Sequence, residues 1–445
     1  KATCYVAATM YQFDDFHPYL YKTNDYGKTW TRIVHGIPEN AFTRVIREDP
    51  TRRGLLYAGT EYGLYVSFDD GADWQPFQLN LPVVPITDLT VKEKDLVVAT
   101  QGRAFWILDD LTPLYDYKDS IRAEALHVFP PRPGYRFAGG GFGGDDEESA
   151  AAAIGKNPPN GVLLYYWLKD KPKEKEKLTV EILDGDKILR SYTSEKKEKE
   201  GPEGEAAGGG APDREDKPLE PKEGLNRLVW DMRIIKPTLL PRAVIWGNSQ
   251  GPKVSPGTYT VRVKLRDQTG TQTFDVRPNP GVPATAEDLK KQFQMLRESA
   301  DGLAACHDAV LQIREAKAQI KEITDHAEKL GKGKGIKEKG KEVSDKLTAI
   351  EKKLVNPEVK SNQDVLNFTP ALDHQFAGLA AAVGSADAKP TEASYVYEKQ
   401  IQAQLSSVQG ELKGVLDKDL AEFNQSVRAA DIPPVVVGKK TASDK

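Results

Sequence analysis

The sequence is poor in the residues that do metal and redox work. Two cysteines, Cys4 and Cys306, and six histidines are spread over 445 residues. The cysteines fall in segments of different periodicity, so a disulfide between them is not expected. Neither has a second ligand at metal-binding spacing, so no metal and no cofactor is expected. No run of about 18 apolar residues occurs, which excludes a membrane-spanning helix within this sequence. The net charge is −4 with 29% charged residues, too balanced for a polyanion-binding protein, so no nucleic-acid partner is expected. The glycine-rich stretch Gly139 to Gly144 has no strand leading in and no GK[ST] following, so it is not a phosphate loop.

What is present is a repeat. TNDYGKTW (Thr23 to Trp30) returns as SFDDGADW (Ser67 to Trp74), 44 residues later. A third, degenerate copy aligns LYAGTEYGLYVSFDD (Leu56 to Asp70) with LVVATQGRAFWILDD (Leu96 to Asp110) at a shift of 40. Short alternating strands at that spacing predict β-propeller blades. The motif S/T-x-D-x-G-x-x-W has a physical logic. Thr23 or Ser67, with Asp25 or Asp69, accepts backbone N–H groups inside a tight turn. Gly27 and Gly71 supply positive φ, and Trp30 and Trp74 are expected to pack between neighbouring sheets. The third copy keeps Asp109 and Asp110 but has Leu111 in the glycine position. It reads as a closing strand pair ending near Tyr117.

These residues resemble the Asp-box, or bacterial neuraminidase (BNR), repeat. The wider stretch from Phe13 to Tyr117 is similar to the last blades of sortilin-like bacterial proteins labelled BNR-repeat glycosyl hydrolases. The resemblance implies a structural role for the boxes and an extracellular, periplasmic or cell-surface location. The first strand, Cys4 to Ala8, has no blade before it, so further N-terminal blades are expected upstream of Lys1, with any targeting segment.

Residues 1–117 are therefore expected to be propeller blades and 118–160 a Pro-, Gly- and acid-rich linker in which only Leu126 to Phe129 suggests a strand. Alternating strands resume at Val162–Leu168, Leu178–Leu183, Leu225–Arg233, Thr258–Leu265 and Thr271–Val276, predicting a β-sandwich over 161–280. GLNRLVWDMR (Gly224 to Arg233) and VSPGTYTVRV (Val254 to Val263) resemble the Ig-like module of flagellar hook-capping proteins. Residues 194–223 are rich in Lys, Glu, Gly and Pro, with almost no apolar residues, and predict a disordered insertion. From Thr285, an N-cap candidate with Asp288 three residues on, the period turns helical. Leu289, Leu296, Leu303, Val310 and Ile320 lie on one long seam. Shorter seams run through Val343–Leu354, a helix starting at Thr369 with Pro370 first, and Tyr395–Phe423. Together they predict an antiparallel bundle over 284–432, followed by a tail, 433–445. The fold class is thus multidomain, mainly β and then α. His307, His326 and His374 are expected at helix surfaces or boundaries.

One feature suggests a site. Thr9 matches Thr60 at a shift of 51 and Leu20 matches Leu64 at 44, so the first blade carries seven extra residues, including Asp14, Asp15 and His17. Glu61, Tyr62 and Arg103 occupy the equivalent loops of the next two blades. All six residues are expected on one rim, opposite the Asp boxes, where a glycan or peptide would bind. A sialidase set of three arginines with a Tyr–Glu pair cannot be assembled, and catalytic residues stay unassigned. Two functions follow: non-catalytic ligand or protein binding through the rim, or a glycoside hydrolase whose site includes upstream blades.

Overall fold

The computed structural model describes residues 2–137, 158–195 and 217–432, apart from 242, 334 and 362. The chain divides into two compact units, Lys1–Arg132 with Tyr165–Lys169, and Pro133–Leu164 with Asp170–Lys445. The order is β first and α second.

Three antiparallel sheets follow one another in the first unit. They contain β1 (Cys4–Met10), β2 (Asp15–Thr23) and β3 (Thr31–Arg32); β4 (Thr43–Glu48), β5 (Leu56–Thr60), β6 (Leu64–Ser67) and β7 (Gln75–Pro76); and β8 (Ile86–Lys92), β9 (Asp95–Thr100) and β10 (Phe105–Leu108), each sheet in meander order. Alternation puts Leu20, Ile33, Leu56, Ala58 and Trp74 in one core between the first two sheets. Tyr57, Leu64, Ile86, Leu89 and Val98 form another between the second and third.

The repeated turns fold as their residues dictate. Thr23 Oγ1 donates to Asp25 Oδ1 at 2.8 Å and accepts the Gly27 N–H at 2.9 Å, while Asp25 accepts the Thr29 N–H and hydroxyl. Ser67 and Asp69 repeat this, with Gly71 and Asp73 as donors. Positive φ falls on two successive residues, Tyr26–Gly27 and Asp70–Gly71. In the third copy Asp110 keeps φ at 65°, but its carboxylate accepts from Thr112 and the chain passes into α1 (Thr112–Asp116).

Two expectations need correction here. Trp74 is buried, but Trp30 is 46% exposed, because among the described residues no sheet lies over the outer face of the first one. The repeat offset also differs. Ala7 pairs with Leu20 where Gly59 pairs with Leu64, so β1 and β5 correspond at 52 residues (7 to 59), not 51. The first hairpin is thus eight residues longer than the second; the two threonines that suggested 51 do not occupy equivalent positions.

The stretch 118–160 is not all linker. β11 (Leu126–Val128) pairs with the end of β13 (Val162–Leu168), and His127 bridges Asp116 and Glu124. β12 (Gly134–Arg136) runs parallel to β18. The Gly-rich and acidic runs lie outside the described residues, as do 196–216 of the expected insertion and the tail from 433. The described flanks of that insertion, 194–195 and 217–223, hold no helix or strand.

In the second unit β14 (Leu178–Asp184), β15 (Lys187–Thr193), β17 (Gly257–Leu265), β18 (Gln268–Pro278) and β12 make one sheet in the order β12-β18-β17-β14-β15. Trp230 of β16 (Gly224–Trp230), the strand beside β13, packs edge-on against Tyr259 and Phe274 of that sheet. The helices are α2 (Ala286–Lys329), α3 (Ile336–Leu354), α4 (Leu372–Val383), α5 (Glu392–Gly414) and α6 (Leu420–Ala429), with a π turn at Val415–Asp419. Thr285 and Asp288 close a capping box on α2 as their spacing predicts. Pro370 stands before α4 rather than in its first turn, which Ala371 precedes as N-cap. No described helix is long and apolar enough to cross a membrane.

His307 and His374 are buried, not peripheral. His307 Nδ1 accepts the Leu240 N–H at 3.0 Å, and both rings flank the Asp373 carboxylate. On α2 and α5, Glu298 and Glu398 lie side by side. Burial, then the hydrogen bond to Glu298, pushes the Glu398 carboxyl up from 4.5 to about 7. The folded state therefore holds this proton more tightly than the unfolded chain. Its contribution to stability is complete below about pH 4.5 and is lost as pH rises through 7. Glu398→Gln is expected to raise the melting temperature at about pH 8, leave it unchanged near pH 4 and flatten the profile between, in a thermal-melt series over pH.

Candidate functional site

The long first hairpin builds one end of the first unit. A single 3-10 turn, Tyr11–Phe13, carries the chain round, and Asp14 closes it with φ 56° and its N–H on the Tyr11 carbonyl. Asp15 then braces the returning strand. Its Oδ1 accepts the His17 N–H at 3.0 Å and meets the His17 ring Nδ1 at 2.7 Å, and its Oδ2 accepts the Tyr19 hydroxyl at 2.6 Å. The Tyr19 bond first, then those from His17, draws the Asp15 carboxyl down to about 2.

The loops between β5 and β6 and between β9 and β10 emerge at this same end, since each joins the strands corresponding to β1 and β2. Glu61 does not stand free: Arg44 Nε and Nη2 both donate to its Oε2, at 2.8 and 2.6 Å. The Arg44 guanidinium sits 5.1 Å from the Phe42 ring centre and 5.9 Å from that of Tyr11. Tyr11 stacks on Phe42 at 5.0 Å, and Phe16 tilts against Phe42 at 6.1 Å. Around this shelf Phe13 is 77%, Phe16 48% and Tyr62 50% exposed. Cation–π and stacking contacts hold Arg44 over the buried Phe42 ring and the partly exposed Tyr11 ring.

Of the six residues expected on the rim, Asp15 and His17 touch, Asp14 adjoins them, and Tyr62 follows Glu61. Arg103 stands apart: its carbonyl accepts the Trp106 indole N–H, and its guanidinium bonds to none of the other five. Sequence reasoning missed Tyr11, Phe16, Phe42 and Arg44. The available signal was Thr43-Arg44 opening the second inner strand: a bulge between Thr43 and Val45 turns Arg44 toward Glu61.

A general acid needs a carboxyl held protonated near neutral pH, and Asp15 is held the other way. Glu61 is neutralised by a two-pronged guanidinium contact. Among the described residues, no group of three or more His, Cys, Asp or Glu side chains is arranged to hold a metal ion.

No family model matches the chain, and no curated protein matches it. Among solved structures it is similar to YCF48 bound to D1 peptide, at 21% identity over 21% of this chain and 31% of that one, TM-score 0.17. It is also similar to the extracellular domain of a protein described as a one-component system, BT4673 of B. thetaiotaomicron. That match has 12% identity over 60% of this chain and 29% of that one, with a TM-score of 0.18. The chain thus spans under a third of either structure, and at these scores neither likeness decides a fold or a function.

Proposed function

We propose that the three sheets are Asp-box blades of a β-propeller of the BNR, sortilin-like type, that β13 to β18 form an Ig-like sandwich, and that the chain is part of a secreted or cell-surface protein. The propeller binds a glycan or a protein or peptide segment through its rim and carries out no catalysis there. One observation carries this reading: the shelf of Tyr11, Phe16 and Phe42 under Arg44, with Phe13 and Tyr62 projecting beside it. Phe42 is buried, whereas Phe13, Phe16 and Tyr62 keep about half or more of their surface exposed, and exposed rings on neighbouring loops suit sugar faces or peptide side chains. Asp15 and His17 shape the loop; Glu61 fixes Arg44. The glycoside hydrolase alternative has no support from these side chains, because Asp15 is held ionised by Tyr19 and His17 and Glu61 is occupied by Arg44.

The test is a glycan and peptide array probed with the protein and with a Phe13→Ala, Tyr62→Ala double variant. The variant is expected to lose the bound ligands while its stability moves by no more than about 0.5 kcal/mol, as for exposed positions. An unchanged array profile would remove the rim from the binding surface.

A further inference from the structure

The charges around the aromatic shelf are unequally spent. Two hairpin tips meet there. Tyr11 and Phe16 of the first lie against the Phe42 ring, and the Glu61 N–H of the second donates to the Phe42 carbonyl at 3.0 Å. Arg44 and Glu61 cancel, since the guanidinium Nε and Nη2 both end on one carboxylate oxygen. Asp15 stays ionised near neutral pH, because the Tyr19 hydroxyl and His17 hold its carboxyl at about 2. Asp14 is different. Its N–H closes the turn on the Tyr11 carbonyl, and among the described residues no donor reaches its exposed carboxylate. Arg103, the cation on the third loop, bonds to none of these groups.

Stacking suits any flat or apolar face, so the rings by themselves leave the class of ligand open. A glycan adds hydroxyls that need donors and acceptors together. Here both Asp15 oxygens are engaged by His17 and Tyr19, and Arg44 Nε and Nη2 are engaged by Glu61. What remains is unbalanced negative charge beside the electron-rich faces of exposed rings, and both attract a cation. An exposed ion pair contributes little by itself. The ring faces add the second attraction.

We propose that the rim takes a protein or peptide segment by a lysine or arginine side chain, with its aliphatic stem against the exposed rings and its charged end beside Asp14. This inference rests on the rim being the binding surface and narrows its ligand to one class. Long basic side chains suit such a place, because the stem covers apolar surface while the head stays in water. Asp14 selects the ligand; Asp15 adds charge while bracing the loop.

The experiment titrates the protein against labelled peptides that are alike except for a central Lys, Arg, Gln or Glu, and against neutral oligosaccharides, at low and high salt. The Lys and Arg peptides are expected to bind about tenfold more tightly than the Gln peptide. That gap should shrink as salt rises. Asp14→Asn removes the charge and keeps the turn, because asparagine tolerates the left-handed backbone that φ 56° imposes. It is expected to weaken the Lys and Arg peptides several-fold and to leave the Gln peptide unchanged. Equal binding of Lys, Gln and Glu peptides, a preference for the oligosaccharides, or an undiminished preference in Asp14→Asn would overturn the proposal. The Phe13→Ala, Tyr62→Ala variant separates the two readings. If it loses a bound ligand that shows no preference for Lys or Arg, the rim stands as the binding surface and the cationic ligand falls. If it keeps the Lys and Arg peptides, binding lies elsewhere and both fall.

Discussion

Trp74→Ala is expected to destabilise the first unit by about 3–5 kcal/mol, the range for removing a fully buried aromatic side chain. The ring fills the core between the first two sheets with Leu20, Ile33 and Leu56, so its loss opens a cavity that β strands on both sides hold apart. The Ile33 carbonyl also loses its donor and is left buried without one. Trp30→Ala is the control. It removes the same side chain from the same turn, but one that is half exposed, and it is expected to cost no more than about 0.5 kcal/mol. Chemical denaturation of the two variants side by side checks both values. Equal losses would mean that the turns, not the packing of Trp74, set the stability.

A comparable loss is expected in the second unit from Arg136→Met. Arg136 Nη1 lies 2.8 Å from Asp387 Oδ1, and the two side chains are 3% and 4% exposed. Nη2 donates to Gln292 Oε1 at 2.9 Å, and Gln292 in turn donates to the Val383 and Ala386 carbonyls. Burial draws the guanidinium pKa down while Asp387 opposes it, as a desolvated pair requires. Removing the cation alone strands a carboxylate in the interior, at a cost of about 3–5 kcal/mol. Removing both charges, in Arg136→Met with Asp387→Leu, is expected to recover most of that, because the desolvation penalty goes with them. A double-mutant cycle in urea measures the difference. Additive losses would show that the pair is not coupled.

Turns and seams were legible because their signals are local. The box residues fix their own hydrogen bonds within four positions, and Thr285 with Asp288 caps α2 from three residues apart. The repeat offset was misjudged by one residue because threonines at 9 and 60 are a similarity of letters. Only the pairing of Ala7 with Leu20 and Gly59 with Leu64 reveals which residues share a face. β12 and β15 escaped notice for different reasons. β12 is three residues held by one parallel neighbour, and in β15 only Leu189 and Tyr192 are buried. The buried histidines could not be foreseen either, since His307 is satisfied by an amide 67 residues away. At the candidate site the hairpin insertion was visible, but the partners that decide its chemistry were not. Arg44 lies 17 residues from Glu61, and nothing in the spacing says they meet.

The Arg136–Gln292 bond spans 156 residues of sequence. Helix turns close locally and fast, whereas a contact of this span carries the entropy of a very long loop until much else is in place. The helices are thus expected to gain their shape early and to be seated on the five-stranded sheet last, when the guanidinium finds its carboxylate. Until that moment the interior around Asp387 is open to water, so the late step, rather than helix formation, governs how long aggregation-prone surface stays uncovered as the second unit folds.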